Sequence, residues 1–353
     1  MIKVLELFGG IGACSKALER LGVEYEIADY VEIDKYAVKS YNAIHNTNFK
    51  PQDITTWDKD IEVDLIMHGS PCQDFSIAGK QAGGDKDSGT RSSLMYETIR
   101  IVEKLNPKYV IWENVRNLLS KKHIHNFNAY LKTMERLGYT NYYQVLNAKD
   151  YGIPQNRERV FTVSIRNDIN VNFTFPEKIP LTLTVDDMLD EGVDDCYYRV
   201  CNSMIKALHN GKVKDITHAE YTPTITTKQA RWNNGGLIRV SCPYVDKKYE
   251  TFINIHGYIP NKYNPYNDRE ITDIAPTQTT GCGNVGRSSQ VCIKQGYMYR
   301  YLTPKECWRL MGFDDSDFEK AAKVNPKGQL YKQAGNSIVV NVLEEILKNL
   351  LER

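Results

Sequence analysis

Leu5-Glu6-Leu7-Phe8-Gly9-Gly10-Ile11-Gly12 decides how the rest of the chain is read. Ile2–Phe8 has the apolar, β-favouring character of a buried strand. Glycines follow at 9, 10 and 12, and Ala13–Leu21 then spaces its apolar residues as a helix does. A strand that ends in a glycine turn and enters a helix is the opening of a crossover unit. Glycine there permits positive φ and lets a ligand approach the backbone. The spacing is not the full GxGxxG fingerprint, so a dinucleotide, a nucleoside, a phosphate or simple tight packing all fit it.

The alternation continues outward. Tyr25–Val31 reads as a strand, Tyr36–Ile44 as a helix, Val63–His68 as a strand and Leu94–Leu105 as a helix. Tyr109–Trp112 is a further strand, Phe127–Leu137 a helix, and Tyr142–Leu146 and Arg159–Ser164 two more strands. Strands separated by helices of this length imply an α/β fold, Rossmann-like, with a mostly parallel sheet covered on both faces. Asp186–Asp195 then carries six acids in ten residues and reads as a solvated helix and linker. From Cys196 to Tyr299 the chain is rich in Gly, Asn, Thr and Tyr, with no long helical repeat beyond about residue 210. Helical periodicity returns in Pro304–Met311 and Val339–Leu350. The expected division is a large domain over 1–171, a smaller irregular domain over 172–299, and a closing segment, 300–353, packing back on the first.

Over 353 residues, 45 basic side chains meet 44 acidic ones, so total charge neither supports nor excludes a nucleic-acid partner. The charge is local: residues 196–299 hold 13 Lys/Arg against 7 Asp/Glu, together with ten tyrosines and Trp232. A basic, aromatic, loop-rich module suits a nucleic-acid reader, and an irregular domain that happens to be basic suits the same composition. Pro223-Thr-Ile-Thr-Thr echoes Pro276-Thr-Gln-Thr-Thr, but two short copies make no repeat architecture. The eight cysteines form no CxxC pair, which argues against zinc or iron–sulfur ligation. The N-terminus lacks a signal-peptide core and no run of 18 apolar residues occurs, so no membrane association is expected. A cytoplasmic location is expected.

Three strand ends carry chemistry. Gly69-Ser70-Pro71-Cys72-Gln73-Asp74-Phe75-Ser76 follows the third strand and presents a thiol where open α/β sheets bind ligands. Trp112-Glu113-Asn114-Val115 brings a carboxyl to the same edge, and Gln155-Asn156-Arg157-Glu158-Arg159 adds alternating arginines. Glu32 is placed to accept both hydroxyls of a ribose, and Asp53 to accept from an adenine amino group. Each is equally an ordinary polar residue at a strand end. Gly79, Gly83, Gly84 and Gly89 suit either a mobile lid or a static loop.

In order along the chain, these motifs resemble those of the DNA cytosine-5 methyltransferase family. The likeness covers residues 1–170 and 300–350, including Tyr301-Leu-Thr-Pro-Lys-Glu306, Arg309-Leu-Met-Gly-Phe313 and Gln333-Ala-Gly-Asn-Ser337. It implies a Rossmann-like S-adenosylmethionine-dependent methyltransferase sheet with a variable target recognition domain between the two matching stretches. It also implies S-adenosyl-L-methionine as methyl donor, S-adenosyl-L-homocysteine as product, no metal, and double-stranded DNA as partner. Phe8, Gly10, Gly12, Glu32, Asp53 and Asn336 would bind the cofactor. Cys72 would be the nucleophile, Glu113 would recognise the base, Arg157 would support Glu113, and Arg159 would contact the flipped cytosine. Gln73 and Ser76 in the loop, and Thr279 and Arg287 in the second domain, are the candidate DNA contacts. The chain departs from the family's common residues at Gly9, Gln52, Lys305 and Asp314, none of them a group the chemistry requires. A monomer is expected, paired in function with a restriction endonuclease but without a required complex. Cytosine-5 methylation of transfer RNA, or DNA binding without catalysis on the same scaffold, remain the alternatives.

Overall fold

The computed structural model describes residues 1–71, 91–194, 197–199, 207–208, 210–227, 229, 236–241, 262–264, 269–270, 292–293 and 297–351. The chain divides into two compact units. One comprises Met1–Met188, Glu220–Lys228 and Pro304–Arg353, and the other Leu189–Ala219 and Gln229–Thr303. The expected boundary at 171/172 therefore precedes the physical one by 17 residues. The first copy of the Pro-Thr echo, 223–227, belongs to the large unit.

The large unit is built on six strands: β1 (Ile2–Leu7), β2 (Tyr25–Val31), β3 (Leu65–His68), β4 (Tyr109–Val115), β5 (Tyr139–Asn147) and β6 (Glu158–Arg166). Their spatial order is β2-β1-β3-β4-β6-β5. β2, β1, β3 and β4 run parallel, while β6 is antiparallel to both β4 and β5. The crossovers are α1 (Ala13–Leu21), α2 (Lys35–His45) and α3 (Met95–Leu105), and α4 (Ile124–Arg136) connects β4 to β5. Central strands β1 and β3 are apolar on both faces because helices cover both: Val4, Leu5, Leu7, Leu65 and Ile66 are fully buried. The chain moves outward from β1 to β2 and then returns past β1 to β3. That reversal opens a crevice at the carboxyl ends of β1 and β3.

The last 50 residues close the same unit. They form α5 (Pro304–Arg309), α6 (Asp315–Ala322), α7 (Lys327–Asn336) and α8 (Val340–Leu351). α8 buries Val340, Val342, Leu343, Ile346, Leu347 and Leu350 and packs along α1. Nearly buried Lys16 of α1 meets Asp314 at 2.7 Å and Asp317 at 3.1 Å, and Arg20 meets Asp314 at 2.6 Å. Asp314 is also the first member of a capping box that starts α6.

In the second unit β7 (Tyr198–Arg199), β8 (Lys214–Asp215), β9 (Gly236–Ser241) and β13 (Tyr297–Tyr301) form one sheet. β10 (Lys262–Asn264), β11 (Arg269–Glu270) and β12 (Cys292–Ile293) form another. Among the described residues, no helix is long and apolar enough to cross a membrane.

Candidate active site

The turn after β1 is built from left-handed residues: Phe8 (φ 54°), Gly10 (φ 57°) and Gly12 (φ 84°). Phe8 is the informative one, because a bulky residue at positive φ costs energy and is tolerated only where its surroundings fix it. The fixing is visible. Tyr30 donates from its hydroxyl to the Gly10 carbonyl at 2.6 Å, and the Gly10 amide donates to Glu32 Oε2 at 3.2 Å. A side chain at Gly10 would enter open space, whereas one at Gly12 would collide with His45 and Tyr41. Gly10 is thus free for a ligand's approach, and Gly12 serves the packing of α1 on α2.

Gly12 offers no side-chain cap to α1. The carboxyl of Glu6, two residues before the turn, does so from the strand. Its Oε1 accepts from the Ser15 amide at 3.1 Å, from the Ser15 hydroxyl, and from the Tyr41 hydroxyl at 3.4 Å. These donors satisfy the carboxyl and an otherwise unpaired helix amide together. Glu6 is only 1% exposed, and burial outweighs the donors to push its pKa up to about 7. Sequence reading passed over this residue, although an acid within an otherwise apolar strand was a visible signal.

Glu32 keeps its second oxygen on the Asp34 amide at 2.8 Å. Burial raises its pKa against the pull of these backbone donors. Asp53 is exposed and folds its own turn, accepting from the Thr55 amide at 2.9 Å and the Thr55 hydroxyl at 2.8 Å. Buried Asp29 holds that turn in place through Gln52 Nε2 at 3.0 Å and Trp57 Nε1 at 2.7 Å. Gln52 also donates to the Tyr30 carbonyl at 2.8 Å. The glutamine at 52 therefore has local work that a glycine would not do. Gly9 has a comparable reason: a Cβ there would lie 2.7 Å from the Tyr30 ring.

On β4 the pleat sends Glu113 to the crevice and its neighbours, Trp112 and Asn114, to the other face. Glu113 pairs across the ladder with Phe161, which places Arg159 diagonally opposite on the same face. Arg159 Nε lies 3.0 Å from Glu113 Oε1. The arginine directly paired with Glu113 is thus Arg159, where the resemblance assigned that support to Arg157. The Arg157 guanidinium donates to the carbonyls of Ile225 at 2.9 Å, Gly335 at 3.2 Å and Ser337 at 2.8 Å. Burial raises the Glu113 pKa, and the positive charges of Arg159 and then Arg157 oppose it.

Gln155 completes the join. Its amide nitrogen donates to the Leu310 carbonyl at 2.6 Å, and its oxygen accepts from the Ile225 amide at 2.9 Å. Residues 220–228 are thereby sewn into the large unit, so close to Gly335 that a Cβ there would collide with the Thr226–Thr227 backbone.

Glu6, Phe8, Gly10, Glu113, Asn336 and Ser337 line one open cleft. Glu113 thus shares a cleft with Phe8, Gly10 and Asn336 of the expected cofactor set, and Glu32 joins them through the Gly10 amide. Open space at Gly10 beside a largely buried carboxyl fits a ribose-bearing ligand such as S-adenosylmethionine. Cys72, Gln73, Ser76, Thr279, Arg287 and the four glycines between 79 and 89 lie outside the described residues. Cys14 and Cys307 are buried, and burial pushes both thiols well above their ordinary value. Among the described residues no cluster of three or more His, Cys, Asp or Glu is arranged to hold a metal.

The sequence model for C-5 cytosine-specific DNA methylases matches residues 2–352. The chain is 34% identical to the type II methyltransferase M2.ScrFI of Lactococcus lactis subsp. cremoris, covering 100% of this chain and 99% of that protein. It is 32% identical to the type II methyltransferase M.HhaI of Haemophilus parahaemolyticus, covering 99% and 94% respectively. In fold it is similar to the S. pombe Dnmt2 methyltransferase, with a TM-score of 0.68, 20% identity, and coverage of 100% of this chain and 99% of that one. The chain belongs to the C-5 cytosine-specific DNA methylase family, enzymes that use S-adenosylmethionine to methylate carbon 5 of cytosine in nucleic acid.

Proposed function

We propose that the protein methylates carbon 5 of a specific cytosine in double-stranded DNA, through a covalent bond between Cys72 and carbon 6 of the base. One observation carries this reading: Glu113 stands at the cleft that also holds the Phe8–Gly10 turn, with its carboxyl paired to Arg159. Carbon 5 of cytosine is a weak nucleophile. Thiolate addition at carbon 6 makes it enamine-like, provided that the charge reaching N3 is stabilised. Burial raises the Glu113 pKa and so favours a carboxyl that can donate to N3, while its other oxygen accepts from the exocyclic amine.

A stacked base cannot reach such a cleft, so the cytosine is rotated out of the duplex. S-adenosylmethionine supplies a methyl already activated by its sulfonium. When carbon 5 takes it, the sulfonium leaves as a neutral thioether. Water then removes the carbon 5 proton, and the electrons of that bond expel the Cys72 thiolate. Arg159 holds Glu113 and contacts the base. Arg157 fixes Ser337 and Gly335 on either side of Asn336, and so shapes the cofactor wall. Glu32 and Asp53 take the ribose and adenine. Burial holds the Cys14 and Cys307 thiols well above their ordinary value, which makes both poor nucleophiles.

DNA is favoured over transfer RNA by the DNA methylase family model and by the basic, tyrosine-rich composition of residues 196–299. The test is incubation of the protein and S-adenosylmethionine with genomic duplex DNA and, separately, with structured RNA, followed by base-resolution mapping of 5-methylcytosine. Methylation at one recurrent DNA sequence is expected; methylation of RNA alone would overturn the substrate assignment. Cys72→Ser is expected to abolish transfer and retain cofactor binding, and undiminished turnover in that variant would sink the mechanism.

A further inference from the structure

β4 carries Glu113 toward the cleft, and its two flanking side chains grip the residue from which the nucleophile loop departs. Trp112 Nε1 donates to Ser70 Oγ at 2.9 Å, and Asn114 Nδ2 donates to the Ser70 carbonyl at 3.3 Å. Ser70 is 3% exposed and precedes Cys72 by two residues, with Pro71 between them. Both contacts are buried, where a hydrogen bond is strengthened and an unmade one is costly.

The indole is itself held from the other side. Tyr130 of α4 packs on it at 4.2 Å between ring centroids, Phe127 lies at 5.9 Å, and His68, its ladder partner on β3, stacks at 5.7 Å with an interplanar angle of 6°. The His68 ring nitrogen Nε2 in turn reaches the Tyr130 hydroxyl at 3.2 Å. Three rings thus set the direction of the Trp112 N–H, and that N–H ends on Ser70.

We propose that Ser70 is a positioning residue for methyl transfer: gripped by Trp112 and Asn114, it ties the root of the Cys72 loop to the strand that presents Glu113. Nucleophile and base-recognising carboxyl then share one frame, although the residues that carry them lie 41 positions apart in sequence. Proline at 71 has its own φ fixed by its ring and restricts the backbone of Ser70 before it. Small errors in the approach of a nucleophile cost large factors in rate, while binding of substrate away from the reacting atoms is unaffected. The proposal rests on the methyl-transfer reading given above.

The test uses the full chain with a methylatable duplex and S-adenosylmethionine. Ser70→Ala is expected to lower kcat about tenfold with KM for both substrates unchanged, the effect of losing one buried hydrogen bond on a positioned nucleophile. Ser70→Thr keeps the hydroxyl and is expected to restore most of the rate. Trp112→Phe should repeat the loss, and the double variant should be no slower than either single one. Independently of activity, the Trp112 indole proton resonance should move in Ser70→Ala and stay in place in Ser70→Thr. An unchanged kcat in Ser70→Ala, strictly multiplicative losses in the double variant, or an unmoved indole resonance would each overturn the proposal. If the wild-type protein transfers no methyl to cytosine, the functional reading fails, and the resonance still reports whether Trp112 holds Ser70.

Discussion

Replacing Glu6 by Gln tests what a buried acid costs this fold. Glutamine keeps the oxygen that accepts from Ser15 and Tyr41 and removes the ionisation. In the native protein burial raises the carboxyl from an ordinary 4.5 to about 7. The folded chain therefore holds the proton more tightly than the unfolded chain does. Stability contributed by the protonated form is complete below about pH 4.5 and is lost as pH rises through about 7. At roughly 1.4 kcal/mol per pH unit, the full loss is about 3 kcal/mol, undiminished by solvent because the group is buried. Glu6→Gln should abolish that part of the pH dependence. Urea unfolding of both proteins at pH 4.5 and pH 8 measures it. With a slope of roughly 3 kcal/mol per molar urea, the wild-type midpoint should fall by about 1 M relative to the variant across this range. Parallel midpoints at the two pH values would refute the reasoning, showing that the Ser15 and Tyr41 donors fully offset the burial of the charge.

Glu113→Gln keeps an N–H that can reach N3 but removes the acidic proton that can be delivered there, and should reduce kcat by at least about a hundredfold with little change in DNA affinity; equal losses in single-turnover rate and in binding would assign Glu113 a structural role. Arg157→Met leaves the carbonyls of Ile225, Gly335 and Ser337 without their shared donor, and should lower stability by about 3 kcal/mol in denaturant titration. Gly335→Ala drives a methyl into the Thr226–Thr227 backbone and should cost roughly 2 kcal/mol while weakening S-adenosylmethionine binding in calorimetry, because Asn336 is the next residue.

The sheet was legible because its signals are local. Apolar runs between helical periods give β1, β2 and β3 nearly to the residue, and the glycine turn marks where the ligand-facing edge begins. β4 was read short, to Trp112, because Glu113 and Asn114 interrupt the apolar run; the strand continues to Val115 because β6 offers a ladder partner that far. Helices α6 and α7 were not read, since α7 buries only Leu330, Tyr331, Gln333 and Ala334 along ten residues and so shows little amphipathic pattern. The strap 220–228 was hidden for a stronger reason. Its hydrogen bonds go to Pro154, Gln155, Asn156 and Arg157, more than 60 positions away, and no periodicity records a partner at that distance.

The departures from the family's common residues carry the same lesson in a sharper form. Read along the chain, Gly9, Gln52 and Asp314 are isolated exceptions. In space each answers a particular neighbour: Gly9 makes room for the Tyr30 ring, Gln52 bridges Asp29 and the Tyr30 carbonyl, and Asp314 receives Lys16 and Arg20 while starting α6. Tyr30 links the first two, since the ring that excludes a Cβ at position 9 belongs to the residue whose hydroxyl holds Gly10. Substituting the common residue at position 9 alone would therefore press on the residue that fixes the cofactor turn, whereas the same change accompanied by a smaller residue at 30 would also remove the Gly10 contact. Glycine at 9 and tyrosine at 30 are one device, and a motif scored position by position cannot see it.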